Sequence, residues 1–197
     1  MKYPKINIDG PYDAVAGDAL SYDIAVMIGA GIGVTPFASW LKSLKHRIQK
    51  RSELKLLKAL YFVWICRDIT NFKWFLDILQ EIEQHPELCG KIYISLYCTS
   101  TNKEEQRRTL HAANDRRISG LRSFRAHIGR PKVQKLLSEV ADSTERSLIR
   151  NKQLTGILLR AQVGVFCCAP ESLNREVKQL CKEMSTRLVD FEYQQEY

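Results

Sequence analysis

Residues capable of chemistry cluster at a few points along the chain. Gly29-Ala30-Gly31-Ile32-Gly33-Val34-Thr35-Pro36 joins an apolar run to a helix-forming segment. Glycines let a backbone approach a ligand closely, and a helix start offers unpaired N–H groups and a positive dipole end. A pyrophosphate suits such surroundings. The spacing is GxGxG, without the GxGxxG fingerprint or a Walker lysine, so the glycines alone read also as a tight strand-to-helix turn; the strand before and the helix after favour phosphate. Arg67 follows a second apolar run, where nucleotide sites place the adenosine ribose. An acid there suits a free 2′-hydroxyl and an arginine a 2′-phosphate, although the adjacent Asp68 leaves a surface ion pair open. Arg130, between Gly129 and Pro131, reads as a second clamp on the same phosphate or as a turn arginine. Cys168 closes another apolar run, and Pro170 blocks its continuation. A thiol there could touch a planar redox ring, or be an inert core cysteine, because no histidine stands beside it. Tyr197, as a terminal aromatic, has no role on these grounds.

These points need elements to hold them. Asp23–Ile28, ending in Gly29, reads as a strand buried on both faces. Thr35 then reads as an N-cap with Pro36 at the first helical position, followed by Phe37, Leu41, Leu44 and Ile48 at helical spacing. Ala59–Cys66 is a second strand, stopping at Arg67-Asp68. Phe72, Phe75, Leu76, Leu79 and Ile82 form one helical stripe, ending near His85-Pro86. Ile92–Cys98 is a third strand. The polar, basic stretch 100–128 reads as loop and short helix, and Val133, Leu136, Leu137 and Val140 mark another helix. Val163–Cys168 is a fourth strand, Glu171–Met184 a helix, and Leu188–Tyr193 a last strand. Strand and helix alternate, which predicts an α/β fold: a parallel, Rossmann-like nucleotide-binding sheet with helices on both faces. Ligands bind such sheets at the carboxyl ends of the strands, so the places to inspect are Gly29–Pro36, Arg67-Asp68, Cys98-Thr99 and Cys168–Pro170.

The chain has 197 residues, 45% hydrophobic and 26% charged, which predicts one globular domain over 1–197 rather than a disordered or low-complexity chain. Its net charge of +8 is localised. Residues 100–130 carry +5 and residues 143–160 carry +3, so the remainder is neutral. This reads as basic insertions on a neutral scaffold. Clustered Lys and Arg motivate a rival reading as a module for nucleic acid or an anionic membrane surface. Those stretches lack the interleaved aromatics of single-strand binders, and no nucleic-acid partner is expected. No CxxC pair exists, and the four histidines share no metal-ligand spacing with the six cysteines, so no metal site is expected. The cysteines read as reduced, cytosolic thiols. No run approaches the ~20 apolar residues of a spanning helix.

Taken together, these residues resemble the NADPH-binding subdomain of the superoxide-generating NADPH oxidases, within the ferredoxin–NADP reductase superfamily. Ile8-Asp9-Gly10-Pro11-Tyr12 is similar to the family's DGP(F/Y) motif, and Gly29–Phe37 to its GAGIGVTPF glycine turn. Trp64–Asp68 resembles W(I/L)CRD, and Phe72–Phe75 resembles FEWF. Ile118–Arg122 and Gly129-Arg130-Pro131 resemble ITGLR and GRP. Gly164–Glu171 resembles GVFxCGPE, and Gln195-Glu196-Tyr197 resembles the ENF ending. The likeness covers nearly the whole chain.

The resemblance implies NADPH with its pyrophosphate on the glycine turn, and Arg67 and Arg130 on the 2′-phosphate. It puts the nicotinamide near Cys168 and Pro170, and Tyr197 over a flavin ring. It implies hydride transfer to FAD and electron passage through haem to oxygen. The flavin barrel and haem helices of the family have no counterpart in this sequence. FAD and haem are therefore expected to belong to other domains of a longer protein, with regulatory subunits as candidate further partners and this part on the cytosolic face of a membrane. A ferric-chelate reductase and a degenerate, non-catalytic fragment are the alternatives. Departures from the family pattern are Asp13 and Ala169 in place of glycines, Tyr197 in place of phenylalanine, and a longer segment around 143–161.

Overall fold

A computed structural model describes residues 19–48, 57–67, 73–86, 88–114, 124–157 and 159–196. Asp68, Tyr197, Asp13 and the segments 8–12 and 118–122 lie outside these. Six strands form one sheet: β1 (Ile24–Ala30), β2 (Ala59–Cys66), β3 (Ile92–Cys98), β4 (Phe124–Ile128), β5 (Ala161–Cys168) and β6 (Val189–Gln195). Five helices connect or follow them: α1 (Thr35–Ile48), α2 (Lys73–Glu83), α3 (Lys103–Asn114), α4 (Val133–Thr155) and α5 (Glu171–Met184). The strand order is β4-β3-β2-β1-β5-β6, and every pairing is parallel.

That order follows from which residues are apolar on both sides. β1 is buried along Ile24–Gly29 and sits at the centre, paired with β2 and β5. One of its faces gives Ala25 and Met27 to a core with Phe37, Leu41 and Leu44 of α1 and Phe75, Leu79 and Ile82 of α2. The other gives Ile24, Val26 and Ile28 to a second core with Val133, Leu137 and Val140 of α4 and Val177 and Cys181 of α5. Helices cover both faces, as the alternation predicts.

Three local readings change. Phe124–Ile128 is an edge strand, not loop. Only Phe124 is buried there, so the segment has no apolar run to announce it. The helix opening at Val133 continues to Thr155, through most of the segment that reads as an insertion, and closes at Gly156, whose N–H donates to Lys152 O at 2.8 Å. It has to travel from edge strand β4 past β3, β2 and β1 to reach β5, four strand spacings or roughly 19 Å. Finally, Thr35 is not an N-cap. Gly31–Val34 winds as a 3-10 turn that runs directly into α1, and Thr35 already has helical angles (φ −63°, ψ −40°). Its hydroxyl donates back to Ile32 O at 2.9 Å instead of accepting an N–H. The segment starts after extended Ala30, with no side chain capping it.

Candidate functional site

The connections after β1 and β5 leave neighbouring strands on opposite faces of the sheet. Such a switch opens a crevice at the carboxyl edge. A cleft of about 970 Å³ lies there, at the upper end of ordinary ligand sites. Ala30, Gly31, Ile32, Val34 and Thr35 of the glycine turn line it, and Arg67, Arg130 and Pro170 line it from three other strand ends. Gly29, Gly33, Pro36 and Cys168 do not. Asp68 and Tyr197 are outside the described residues.

Each part is held by identifiable bonds. Gly31 has φ +57°, a conformation glycine adopts without steric cost, and its α-carbon faces open space on the side where a Cβ would stand. Its carbonyl accepts a hydrogen bond from Trp64 Nε1 at 3.0 Å, which ties the turn to β2. Gly33 faces the other way: a Cβ there would overlap the carbonyl oxygen of Cys168 and stand 3.0 Å from its Sγ. The glycine turn is therefore seated directly on the end of β5, and Cys168 lies behind it.

The arginines owe their place to a lacing of strand ends. Thr99 N–H and hydroxyl both donate to Cys66 O, at 2.8 and 3.2 Å. Cys98 Sγ donates to Arg67 O at 3.4 Å. Gly129 N–H donates to Cys98 O at 2.8 Å. Arg67 and Arg130 thus project from laced ends of β2 and β4, both exposed, with Thr99 between them on β3. Two guanidinium groups on one rim supply the charge and donors that could hold a phosphate dianion.

At the other end, burial first, and then the nearby Glu196 carboxylate, push the Cys168 thiol above its ordinary range. It is a neutral S–H at physiological pH rather than a nucleophilic thiolate. Glu196 is itself buried, and its N–H donates to Cys167 O at 3.0 Å. None of the six cysteines forms a disulfide. No described helix is long and apolar enough to cross a membrane.

Sequence reasoning missed Thr99 as a site residue, although it marked the Cys98-Thr99 strand end. It also missed Trp64 as a tether, and Ser172, Leu173 and Glu176 of α5, which line the cleft opposite the arginines. Their only signal was helical spacing, which does not say which face of α5 meets the cleft.

Known proteins agree with this architecture. Residues 22–182 match the family model described as ferric reductase NAD binding domain. The chain is 33% identical to NADPH oxidase 1 of Mus musculus over 201 residues, 98% of this chain and 32% of that protein. It is 34% identical to NADPH oxidase 4 of Homo sapiens over 202 residues, covering 98% of this chain and 30% of the relative. NADPH oxidase 3 of Homo sapiens is 31% identical, with 98% and 33% covered. The chain thus spans about a third of the length of the curated relatives it matches. With a parallel sheet switching at β1 and β5, and a family match across most of that sheet, the chain belongs to the ferric reductase NAD-binding domain family.

Proposed function

We propose that this chain binds NADPH and presents its hydride to FAD, as the nucleotide-binding part of a superoxide-generating NADPH oxidase. The observation that carries this reading is one cleft lined at once by an uncapped glycine turn and by Arg67 and Arg130. The fit is chemical. The turn presents backbone at Gly31 with no Cβ to keep a ligand off, and the arginines supply two cations for the 2′-phosphate that distinguishes NADP from NAD. Bound NADPH supplies the hydride. Within the turn Gly29–Pro36, Ala30, Gly31, Ile32, Val34 and Thr35 line the cleft and hold the pyrophosphate. Arg67 and Arg130 hold the 2′-phosphate; Asp68, next to Arg67 in sequence, belongs to the same proposed group. Pro170 bounds the nicotinamide end, with Cys168 behind the glycine turn next to it. Cys168, kept as a neutral thiol, brings no charge to a ring that gains positive character as hydride leaves. Tyr197 is the aromatic expected to cover the flavin ring.

On this reading FAD and haem belong to other parts of a longer protein, and this part stands on the cytosolic face of a membrane, within reach of regulatory subunits. The isolated chain is expected to bind NADPH weakly and to make no superoxide. The test is NADPH-driven flavin reduction in the full-length protein, with oxygen and a ferric chelate offered in turn. Flavin reduction that yields superoxide supports the reading. Reduction of the ferric chelate alone would assign the chain to a ferric reductase. No NADPH-driven flavin reduction would overturn both.

A further inference from the structure

Asn174, on the early turns of α5, is only 7% exposed. Its Nδ2 donates to the carbonyl oxygen of Ala169 at 2.8 Å. Its Oδ1 is buried and has no hydrogen-bond partner. As a choice for stability alone, this is poor, because a buried acceptor left idle carries a desolvation penalty that an apolar side chain of similar size would avoid.

What the amide does is local. Cys168, Ala169 and Pro170 carry the chain out of β5 and into α5. Pro170 has no N–H, and α5 begins without a side-chain cap at Pro170. Main-chain N–H groups of Leu173 and Asn174 donate to Pro170 O, at 2.9 and 3.1 Å. The peptide one step earlier is held by the Asn174 side chain. That peptide joins Ala169, which follows Cys168, to Pro170, which lines the cleft. Gly33 packs onto the Cys168 carbonyl, so a change in the turn reaches the glycine loop as well. Ala169, where the resemblance has glycine, does not adopt a positive φ. The alanine methyl therefore brings no left-handed strain, and the turn's shape rests on its hydrogen bonds.

We propose that Asn174 is a positioning residue for the nicotinamide end of the site, holding the Cys168–Ala169–Pro170 turn in the shape against which the ring is placed. This rests on the NADPH reading above, and the test separates the two.

The chain is titrated with NADPH and with adenosine 2′,5′-bisphosphate, which carries the phosphates of the adenosine half but no nicotinamide. For Asn174→Leu the melting temperature should stay within about 3 °C of wild type. Affinity for the bisphosphate should stay within about twofold, and affinity for NADPH should fall about three- to tenfold. Asn174→Ala, which also lacks the Nδ2 donor, should show the same split. NMR shifts of the Cys168 and Ala169 amides on NADPH addition should shrink in both variants. Equal losses for both ligands would mean that Asn174 merely supports α5, and would overturn the proposal. So would NADPH binding equal to wild type in both variants. A wild-type chain that binds neither ligand would instead overturn the NADPH reading itself.

Discussion

Replacing Gly33 by alanine adds one methyl group at the seam between the glycine turn and β5. That Cβ would overlap the Cys168 carbonyl oxygen and lie 3.0 Å from both the Cys168 carbonyl carbon and its Sγ. Comfortable carbon contacts need roughly 3.5 Å or more, so the turn or the strand end must shift by on the order of an ångström. Both are backbone in a packed seam, and overpacking of this kind typically costs about 1–3 kcal/mol. For a chain of this size that lowers the melting temperature by roughly 2–12 °C. The shift would also move the N–H groups of Gly31–Val34 relative to Arg67 and Arg130, and NADPH affinity should fall about tenfold or more. Gly31→Ala is the comparison for stability only, because its Cβ would stand where the ligand is proposed to approach. Its Cβ meets nothing within 4 Å, and its cost is the left-handed φ of +57°, about 1–2 kcal/mol. Thermal unfolding of both variants and equilibrium NADPH titration of Gly33→Ala decide the matter. A Gly33→Ala protein with wild-type melting and affinity would refute the seam.

Arg67→Ala or Arg130→Ala should weaken adenosine 2′,5′-bisphosphate about tenfold or more while leaving 5′-AMP nearly unchanged, since a charged hydrogen bond to the 2′-phosphate is lost; equal loss for both ligands would contradict the assignment. Trp64→Phe removes the 3.0 Å bond to Gly31 O, a net loss of about 0.5–1.5 kcal/mol. Melting should drop by a few degrees, and NADPH affinity should fall several-fold, both measurable on one preparation. Burial pushes the Cys167 and Cys181 thiols from 9.0 to about 12. The folded chain therefore keeps protons that the unfolded chain releases above pH 9. The stability these thiols contribute is whole below about pH 9 and declines as pH rises toward 12, by up to about 1.4 kcal/mol per pH unit for each. Urea midpoints measured at rising alkaline pH should show this slope, and Cys181→Ala should reduce it by about half.

Legibility followed burial. Ala59–Cys66, Ile92–Cys98 and Glu171–Met184 occupy the spans their sequences predict. The two strands are apolar runs with clear stops, and the helix is bounded by Pro170 and the return to strand. β4 was illegible because Arg125 and His127 alternate with Ala126 on an edge strand, where one face stays open. The second half of α4 was illegible because its contact with the core ends at Leu148, and periodicity fades while the helix goes on to Thr155. The glycine turn, Arg67, Arg130 and Pro170 were legible because a parallel sheet puts ligands at strand ends, and each stands at one. Thr99, Trp64 and the α5 residues depend on which strands are neighbours and on how a helix is rotated, and neither is written locally. The charge count changes meaning too. Arg125 and Arg130, in the basic stretch 100–130, belong to an integral strand and its exit, and of these two Arg130 lines the cleft.

The most direct measurement is an equilibrium titration of this chain with NADPH and, separately, with NADH. NADPH should bind measurably and at least about tenfold more tightly than NADH, with the difference abolished in an Arg67→Ala, Arg130→Ala double variant. Equal affinity for the two nucleotides, or no binding of either, would contradict the account.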